Sequence, residues 1–152
     1  PVLDVIGNKL LHMGAVGSGQ LTKLINKLLF NISCAAIAEV LPMAVKLGLD
    51  AEKVTGVVTT GTGRSFAAEF FAPLILEDCF DQGYPLKACY KDMVSAGEIS
   101  AREGIPMPLV QAATTTYQMA LAQGLGHQDT GAMIKVFEKI LGVEFRKMKE
   151  NC

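Results

Sequence analysis

The longest hydrophobic pattern in the chain lies at residues 28–45, LLFNISCAAIAEVLPMAV, where apolar residues occupy nearly every side of a helix. Such a helix is typical of one surrounded by other helices or by a partner subunit. Ser18 is a candidate N-cap and Gly48 a stop signal, so the pattern predicts one helix over about residues 19–48. Its length would be about 40 Å at 1.5 Å per residue, with a kink at Pro42.

Shorter patterns, separated by glycine and proline, predict that the rest of the chain is also helical. The further predicted helices are 50–58 with Asp50 as N-cap, 86–103 after Pro85, 108–123 from Pro108, and a last pair, 130–141 and 143–149, after Asp129. Residues 64–82 are predicted to be irregular, with small helical turns broken by Pro73 and Gly83. Alternation typical of short extended segments is confined to residues 1–12. The predicted class is therefore all-α, built on one long central helix.

Composition narrows the functional classes. A chain of 152 residues, half of them hydrophobic and 19% charged, with a net charge of -1, favours one domain without the basic surface that nucleic acid or an anionic membrane requires. The apolar run contains Asn31 and Glu39, which favours a buried helix of a soluble protein over a membrane span. The first residues lack a basic leader and a long apolar core, so we expect no signal peptide and a cytoplasmic protein, with an organelle matrix as the alternative.

The cysteines and histidines do not form a metal-binding pattern. The four cysteines, at positions 34, 79, 89 and 152, form no C-x-x-C pair, and the chain has two histidines. We therefore expect free thiols and no metal site, with Cys34 and Cys89 filling core space among apolar residues.

Three glycines precede the long helix, in HMGAVGSGQLTKLINK at residues 12–27. A phosphate-binding P-loop needs a lysine directly after its second glycine, but Gln20 follows Gly19. A dinucleotide-binding G-x-G-x-x-G needs a third glycine where Thr22 stands. Both motifs are excluded, yet glycines at a helix start still favour the close approach of a ligand or another backbone.

A polar stripe begins at Lys23 on the predicted helix. At about 100° per residue, the side chains within about 80° of Lys23 are those of Gln20, Asn26, Lys27 and Asn31, opposite the leucine-rich face. One interpretation is a solvated helix face. The other is a ligand-binding face with Lys23 as a proton donor, which also accounts for the preceding glycines.

The run G14-x-x-G17-x-G19-x-x-x-K23-x-x-N26 resembles the substrate-side signature of the β-hydroxyacid dehydrogenases, the family of 3-hydroxyisobutyrate dehydrogenase and tartronate semialdehyde reductase. The resemblance extends over nearly the whole chain. It continues through GTGRSF at 61–66, LKACYKD at 86–92, AREGIPMPL at 101–109 and GLGHQDTGAM at 124–133.

This resemblance implies the helical C-terminal domain of an NAD- or NADP-dependent oxidoreductase, of the 6-phosphogluconate dehydrogenase-like type. Residues 1–12 would be the end of an N-terminal Rossmann domain, and 13–152 the all-α substrate and dimerisation domain. The expected partners are that Rossmann domain, a small hydroxyacid or its semialdehyde, and a second copy in a homodimer or tetramer. Because most of the cofactor site would lie outside the chain, we expect these 152 residues alone to be inactive.

The resemblance also implies roles for single residues. Lys23 resembles the catalytic lysine, and Asn26 the polar neighbour that holds substrate or lysine, with the loop residues Gly17, Ser18 and Gly19 beside the substrate. Lys91 resembles the lysine that reaches the cofactor near its nicotinamide end. Ser65 and Phe66 resemble residues at the edge of the same pocket. This chain has Lys27 where many members carry an asparagine, so the polar partner of Lys23 is open.

A second functional class is a non-catalytic helical binding or oligomerisation module on the same fold. Such a module would keep the apolar long helix but tolerate the loss of Lys23.

Overall fold

A computed structural model describes residues 10–147 of the chain. Within them the regular elements are α1 Ser18–Lys46, α2 Ala51–Thr60, α3 Phe66–Leu76, α4 Leu86–Glu103, α5 Pro108–Ala122 and α6 Ile134–Leu141, with two 3₁₀ turns at Leu125–His127 and Thr130–Met133. This described part contains no strand, which confirms the all-α class. The predicted segment 1–12 lies mostly outside the described residues, and residues 10–13 have no regular structure.

Helix α1 is the centre of the domain and packs against each of the other five helices. It is long and apolar enough to cross a membrane by length and composition alone, a test that the central helix of a helical domain also passes. Pro42 is buried inside α1, which continues to Lys46. The kink expected at Pro42 stays a prediction.

The start of α1 differs from the prediction. Ser18 is the first helical residue rather than the N-cap, and its side chain makes no capping hydrogen bond. The N-cap is Gly17, whose φ of 95° lies in the left-handed region that glycine adopts without a steric penalty. The backbone turn at Gly17 therefore sets the beginning of the helix.

The predictions for two other segments were wrong. Residues 66–76 form a regular helix, α3, instead of irregular turns, although Pro73 lies inside it. Ser65 caps that helix by accepting a hydrogen bond from the Ala68 amide at 3.1 Å, and burial of Phe71 and its apolar neighbours offsets the bond that Pro73 cannot make.

The predicted helix over 143–149 is absent from its described part. Gly142 ends α6 after Leu141 in the left-handed region with φ 65°, as the predicted boundary at 141 requires, but residues 143–147 do not begin a new helix. Phe145 is fully buried, and its amide donates to Glu138 Oε1 at 2.8 Å. Residues 148 and 149 lie outside the described residues.

Cys34 and Cys89 are buried free thiols, which confirms that they fill core space. Burial raises the pKa of Cys34 to about 12 and the pKa of Cys89 to about 11. Desolvation of the thiolate is the main cause in both residues.

The raised pKa values of these two thiols predict that the folded chain loses stability at alkaline pH. In the unfolded chain they release protons near their ordinary pKa of 9.0, whereas the folded chain holds them to about 11 or 12. The unfolded state therefore binds fewer protons above about pH 9, and the free energy of unfolding falls as pH rises through that window. Urea unfolding from pH 7 to pH 11 should show a smaller alkaline loss for Cys34→Ala than for the unmodified chain. If the free energy of unfolding falls equally with pH in Cys34→Ala and in the unmodified chain, the Cys34 thiol is not a source of the alkaline loss.

Candidate functional site

The N-terminal end of α1 is an exposed turn with unusual backbone geometry. Gly14 and Gly17 have φ values of 108° and 95°. The amides of Gln20 and Leu21 donate to the Gly17 carbonyl, both at 3.1 Å, and the first turn carries neither a side-chain cap nor an acidic residue. The positive end of the helix dipole at Gly17 and Gly19 therefore has neither a side-chain cap nor an acidic residue in its own first turn, which suits a carboxylate.

Lys23 lies on the second turn of α1 with an exposed side chain. Asn26, one turn further, is also exposed. Neither residue forms an ion pair or side-chain hydrogen bond with any other residue of 10–147. Both side chains are thus available to a ligand at this face.

The polar stripe is only partly solvated, since its far end is buried. Asn31 is fully buried, and its Nδ2 lies 3.5 Å from the Cys89 carbonyl of α4. The hydroxyl of Tyr117, on α5, lies 3.4 Å from the Asn31 carbonyl. Asn31 therefore lies where three helices meet, not on a solvated face.

Lys27 is half-buried between the two ends of the stripe. Its Nζ lies 5.0 Å from the ring centroid of Tyr84 and 5.7 Å from that of Phe30. An ammonium at this distance from a ring is attracted to the negative face of the aromatic system. Lys27 is thus directed toward the aromatic rings of Tyr84 and Phe30.

An aromatic cluster joins the start of α3 to this face of α1. Phe66 follows the N-cap Ser65 and is 69% exposed. Its ring centroid lies 5.9 Å from Phe30 on α1 and 5.9 Å from Phe70, onto which it stacks. The fold therefore brings Ser65 and Phe66 to the side of α1 that carries Lys27 and Phe30.

Lys91 is not joined to the other predicted site residues by a direct contact. It is exposed on α4, two residues after Cys89, whose carbonyl faces Asn31. Helix α4 is thus fixed against α1 near the polar stripe. The side chain of Lys91 itself makes no ion pair within the described residues.

Sequence reasoning missed the loop that carries Tyr84. The carboxylate of Asp129, 2% exposed, accepts hydrogen bonds from the amides of Gln82 at 3.2 Å, Gly83 at 3.0 Å and Gly131 at 2.9 Å. A Cβ on Gly83 would lie 2.7 Å from Phe71 Cε1, so only glycine fits there. The local signal was present as G-Y-P followed much later by Q-D-T-G, but nothing in the sequence indicated that the two segments meet.

Two clefts lie elsewhere on the described part of the molecule. The first cleft has a volume of about 790 Å³, and its lining includes Lys135, Glu138 and Arg146. The second has a volume of about 520 Å³, and its lining includes Phe80, His127 and Lys135. Neither contains a predicted site residue. Arg146 crosses the first cleft and bonds Glu138 at 2.6 Å. Residues 10–147 contain no group of three metal-ligating side chains.

The comparisons with known proteins agree on one family. A family model described as NAD-binding of NADP-dependent 3-hydroxyisobutyrate dehydrogenase matches residues 17–137. The chain is 35% identical over 144 residues to 2-(hydroxymethyl)glutarate dehydrogenase of Eubacterium barkeri, covering 94% of this chain and 48% of that protein.

Solved structures give the same result. The 3-hydroxyisobutyrate dehydrogenase of Salmonella typhimurium superposes with a TM-score of 0.85 at 26% identity, over 90% of this chain and 48% of that one. The Mycobacterium tuberculosis 3-hydroxyisobutyrate dehydrogenase, solved with L-serine, gives a TM-score of 0.78 at 31% identity, over 89% of this chain and 48% of that one. The chain thus spans about half the length of the curated relatives it matches.

The family model covers more than half of the chain, and its match coincides with the motifs from Gly17 onward. The chain therefore belongs to the 3-hydroxyisobutyrate dehydrogenase family, within the β-hydroxyacid dehydrogenases.

Proposed function

We propose that the chain is the helical substrate and dimerisation domain of an NAD(P)-dependent oxidoreductase that interconverts a small β-hydroxyacid and its semialdehyde. One observation carries this proposal: Lys23 is exposed on the second turn of a helix whose glycine-led N-terminus has no side-chain cap. A side chain that can move a proton thus stands beside a helix end that attracts a carboxylate. Membership of the family supports the same reaction class.

The start of α1 binds the substrate in this proposal. The backbone at Gly17, Ser18 and Gly19 receives the carboxylate, since the helix dipole favours negative charge there. The Nζ of Lys23 takes the proton of the substrate hydroxyl during oxidation and returns it to the carbonyl oxygen during reduction. Asn26, one turn further on the same face, holds the substrate or the lysine by hydrogen bonding.

A nicotinamide cofactor, when bound, supplies hydride acceptance and donation. The exposed groups of this chain fit such a cofactor chemically: Lys91 offers N–H donors near its nicotinamide end, and Phe66, next to Ser65, offers a flat apolar ring at the pocket edge. Most of the cofactor would be held by a Rossmann domain outside the chain. Residues 1–12 would belong to that domain and 13–152 to the helical one, in a protein of the cytoplasm or an organelle matrix.

The test is a steady-state assay of the full-length protein with a panel of 3-hydroxyacids and their semialdehydes and with each nicotinamide cofactor. We expect turnover with at least one pair, and none from the 152-residue chain alone. Turnover by the isolated chain that scales with its concentration would contradict the domain assignment. A full-length protein that binds these acids without turnover would instead favour the non-catalytic binding module.

The side of α1 opposite Lys23 supports the proposed homodimer or tetramer. Large apolar side chains are at least half exposed near both ends of this side: Leu21, Ile25 and Leu29 near the start of α1, and Val40, Met43 and Leu47 at and just after its end. Several exposed apolar side chains on one side of a helix are typical of a subunit or domain interface.

We expect the chain to sediment as a dimer or larger oligomer at micromolar concentration. Replacing Ile25 and Leu29 by glutamate should shift it toward monomer, because the charges would be buried at the interface. The same double change at the exposed polar positions Gln118 and Gln111 serves as the control. A compact monomer for the unmodified chain would contradict the proposed oligomer.

A further inference from the structure

Lys27 carries a positive charge that no residue of 10–147 neutralises. Its side chain is half-buried, one helical turn beyond Lys23 and on the same side of α1. Within this range no carboxylate lies within 4.0 Å of its Nζ and no oxygen accepts a hydrogen bond from it. An ammonium has three donors, so all three remain available to a ligand.

The aromatic rings around Lys27 position the ammonium without pairing its charge. The Nζ of Lys27 lies 5.0 Å from the ring centroid of Tyr84 and 5.7 Å from that of Phe30. The loop with Tyr84 is itself held, because Asp129 binds the amide of the preceding Gly83 at 3.0 Å. Lys27 therefore has a defined location next to the proposed proton donor, and a contact with a ring face is weaker than one with a carboxylate.

We propose that Lys27 binds a second carboxylate of the substrate, so that the substrate of this site is a hydroxyacid with two carboxylates. The inference rests on the proposed function and deepens it. The first carboxylate lies at the N-terminus of α1, the reacting carbon lies at Lys23, and the arm with the second carboxylate reaches Lys27. The backbone positions of Lys23 and Lys27 are separated by about 6 Å along the helix axis, a span that a short carbon chain covers.

An apolar arm would make a different contact at the same place. It would pack on the rings of Phe30 and Phe66 and leave the donors of Lys27 without an acceptor from the substrate. Charge on the arm, and not only its length, should therefore decide the preference. This difference makes the two substrate classes separable by experiment.

The test uses three alcohols that share the reacting HO–CH2–CH(COO⁻) group and differ in the arm. 3-Hydroxyisobutyrate carries a methyl group, 2-(hydroxymethyl)pentanoate a neutral propyl arm, and 2-(hydroxymethyl)glutarate an arm that ends in a carboxylate. The kcat/KM of the full-length protein should be highest for the third. Lys27→Met should lower the ratio of the dicarboxylate to the propyl compound by roughly 10- to 100-fold, mainly through KM, as expected for the loss of a charged hydrogen bond.

Two matched variants complete the design. Lys27→Arg keeps the charge and should retain most of the preference, whereas Lys139→Met removes an exposed lysine of α6 and should leave the ratio unchanged. Equal kcat/KM for the propyl and dicarboxylate arms, or an equal loss for both in Lys27→Met, would overturn the inference while the proposed function stands.

A binding measurement separates failure of the inference from failure of the proposed function. Calorimetric titration of the same full-length variants with glutarate and with pentanoate needs no turnover. Tighter binding of glutarate that depends on Lys27, without turnover of any alcohol, would support the second-carboxylate contact and contradict the oxidoreductase. No difference between the two acids would contradict the contact itself.

Discussion

Replacing Lys23 with alanine in the full-length protein is expected to lower kcat by about 10²- to 10⁴-fold, the usual contribution of a general acid or base. The reason is that the variant removes the group that we propose takes the hydroxyl proton, while the helix N-terminus that we propose receives the carboxylate stays in place. KM should therefore change less than kcat. The side chain is exposed and unpaired within residues 10–147, so the fold should be unaffected.

Steady-state kinetics of the unmodified protein, Lys23→Ala and Lys139→Ala measure this effect. Lys139 is another exposed lysine, far along the chain on α6, and its replacement controls for a change in surface charge. Circular dichroism and a thermal unfolding curve establish that each variant is folded. A Lys23→Ala protein with a rate close to the unmodified one would remove Lys23 from the mechanism and favour the non-catalytic module.

Local patterns in the sequence were sufficient for most of the helices. The spacing of apolar residues and the glycine and proline punctuation lead directly to α1, α2, α4 and α5, because these signals act within a few residues. They failed at Pro73, where burial of the α3 side chains outweighs the lost hydrogen bond. They also failed after Gly142, where residues 143–147 form no helix although the end of α6 at Leu141 agrees with the prediction.

The candidate site was only partly accessible to the same reasoning. Lys23, Asn26 and Lys27 follow from helical spacing on one element. The contacts of Lys27 with Tyr84, and of Asn31 with Cys89, join positions far apart in the chain, so no local pattern could indicate them. Asn31 illustrates the difference, since its spacing predicts a polar face whereas the packing of α4 and α5 buries it.

The second large effect is expected at Asp129. Its carboxylate accepts three backbone amide bonds and joins the loop at Gln82 and Gly83 to the turn at Gly131. Asp129→Ala leaves those donors without their acceptor and should lower the free energy of unfolding by about 2–4 kcal/mol. This is a large fraction of the stability of an ordinary domain. Urea unfolding of the chain at pH 7 measures the change.

Asp129→Asn is the matched variant, because it keeps the size of the side chain and one acceptor oxygen but removes the charge. Its loss should be smaller than that of Asp129→Ala, since a neutral oxygen still accepts part of the hydrogen bonds. Equal free energies of unfolding for the unmodified chain, Asp129→Ala and Asp129→Asn would show that the loop is held by the packing of Gly83 on Phe71 and not by the carboxylate.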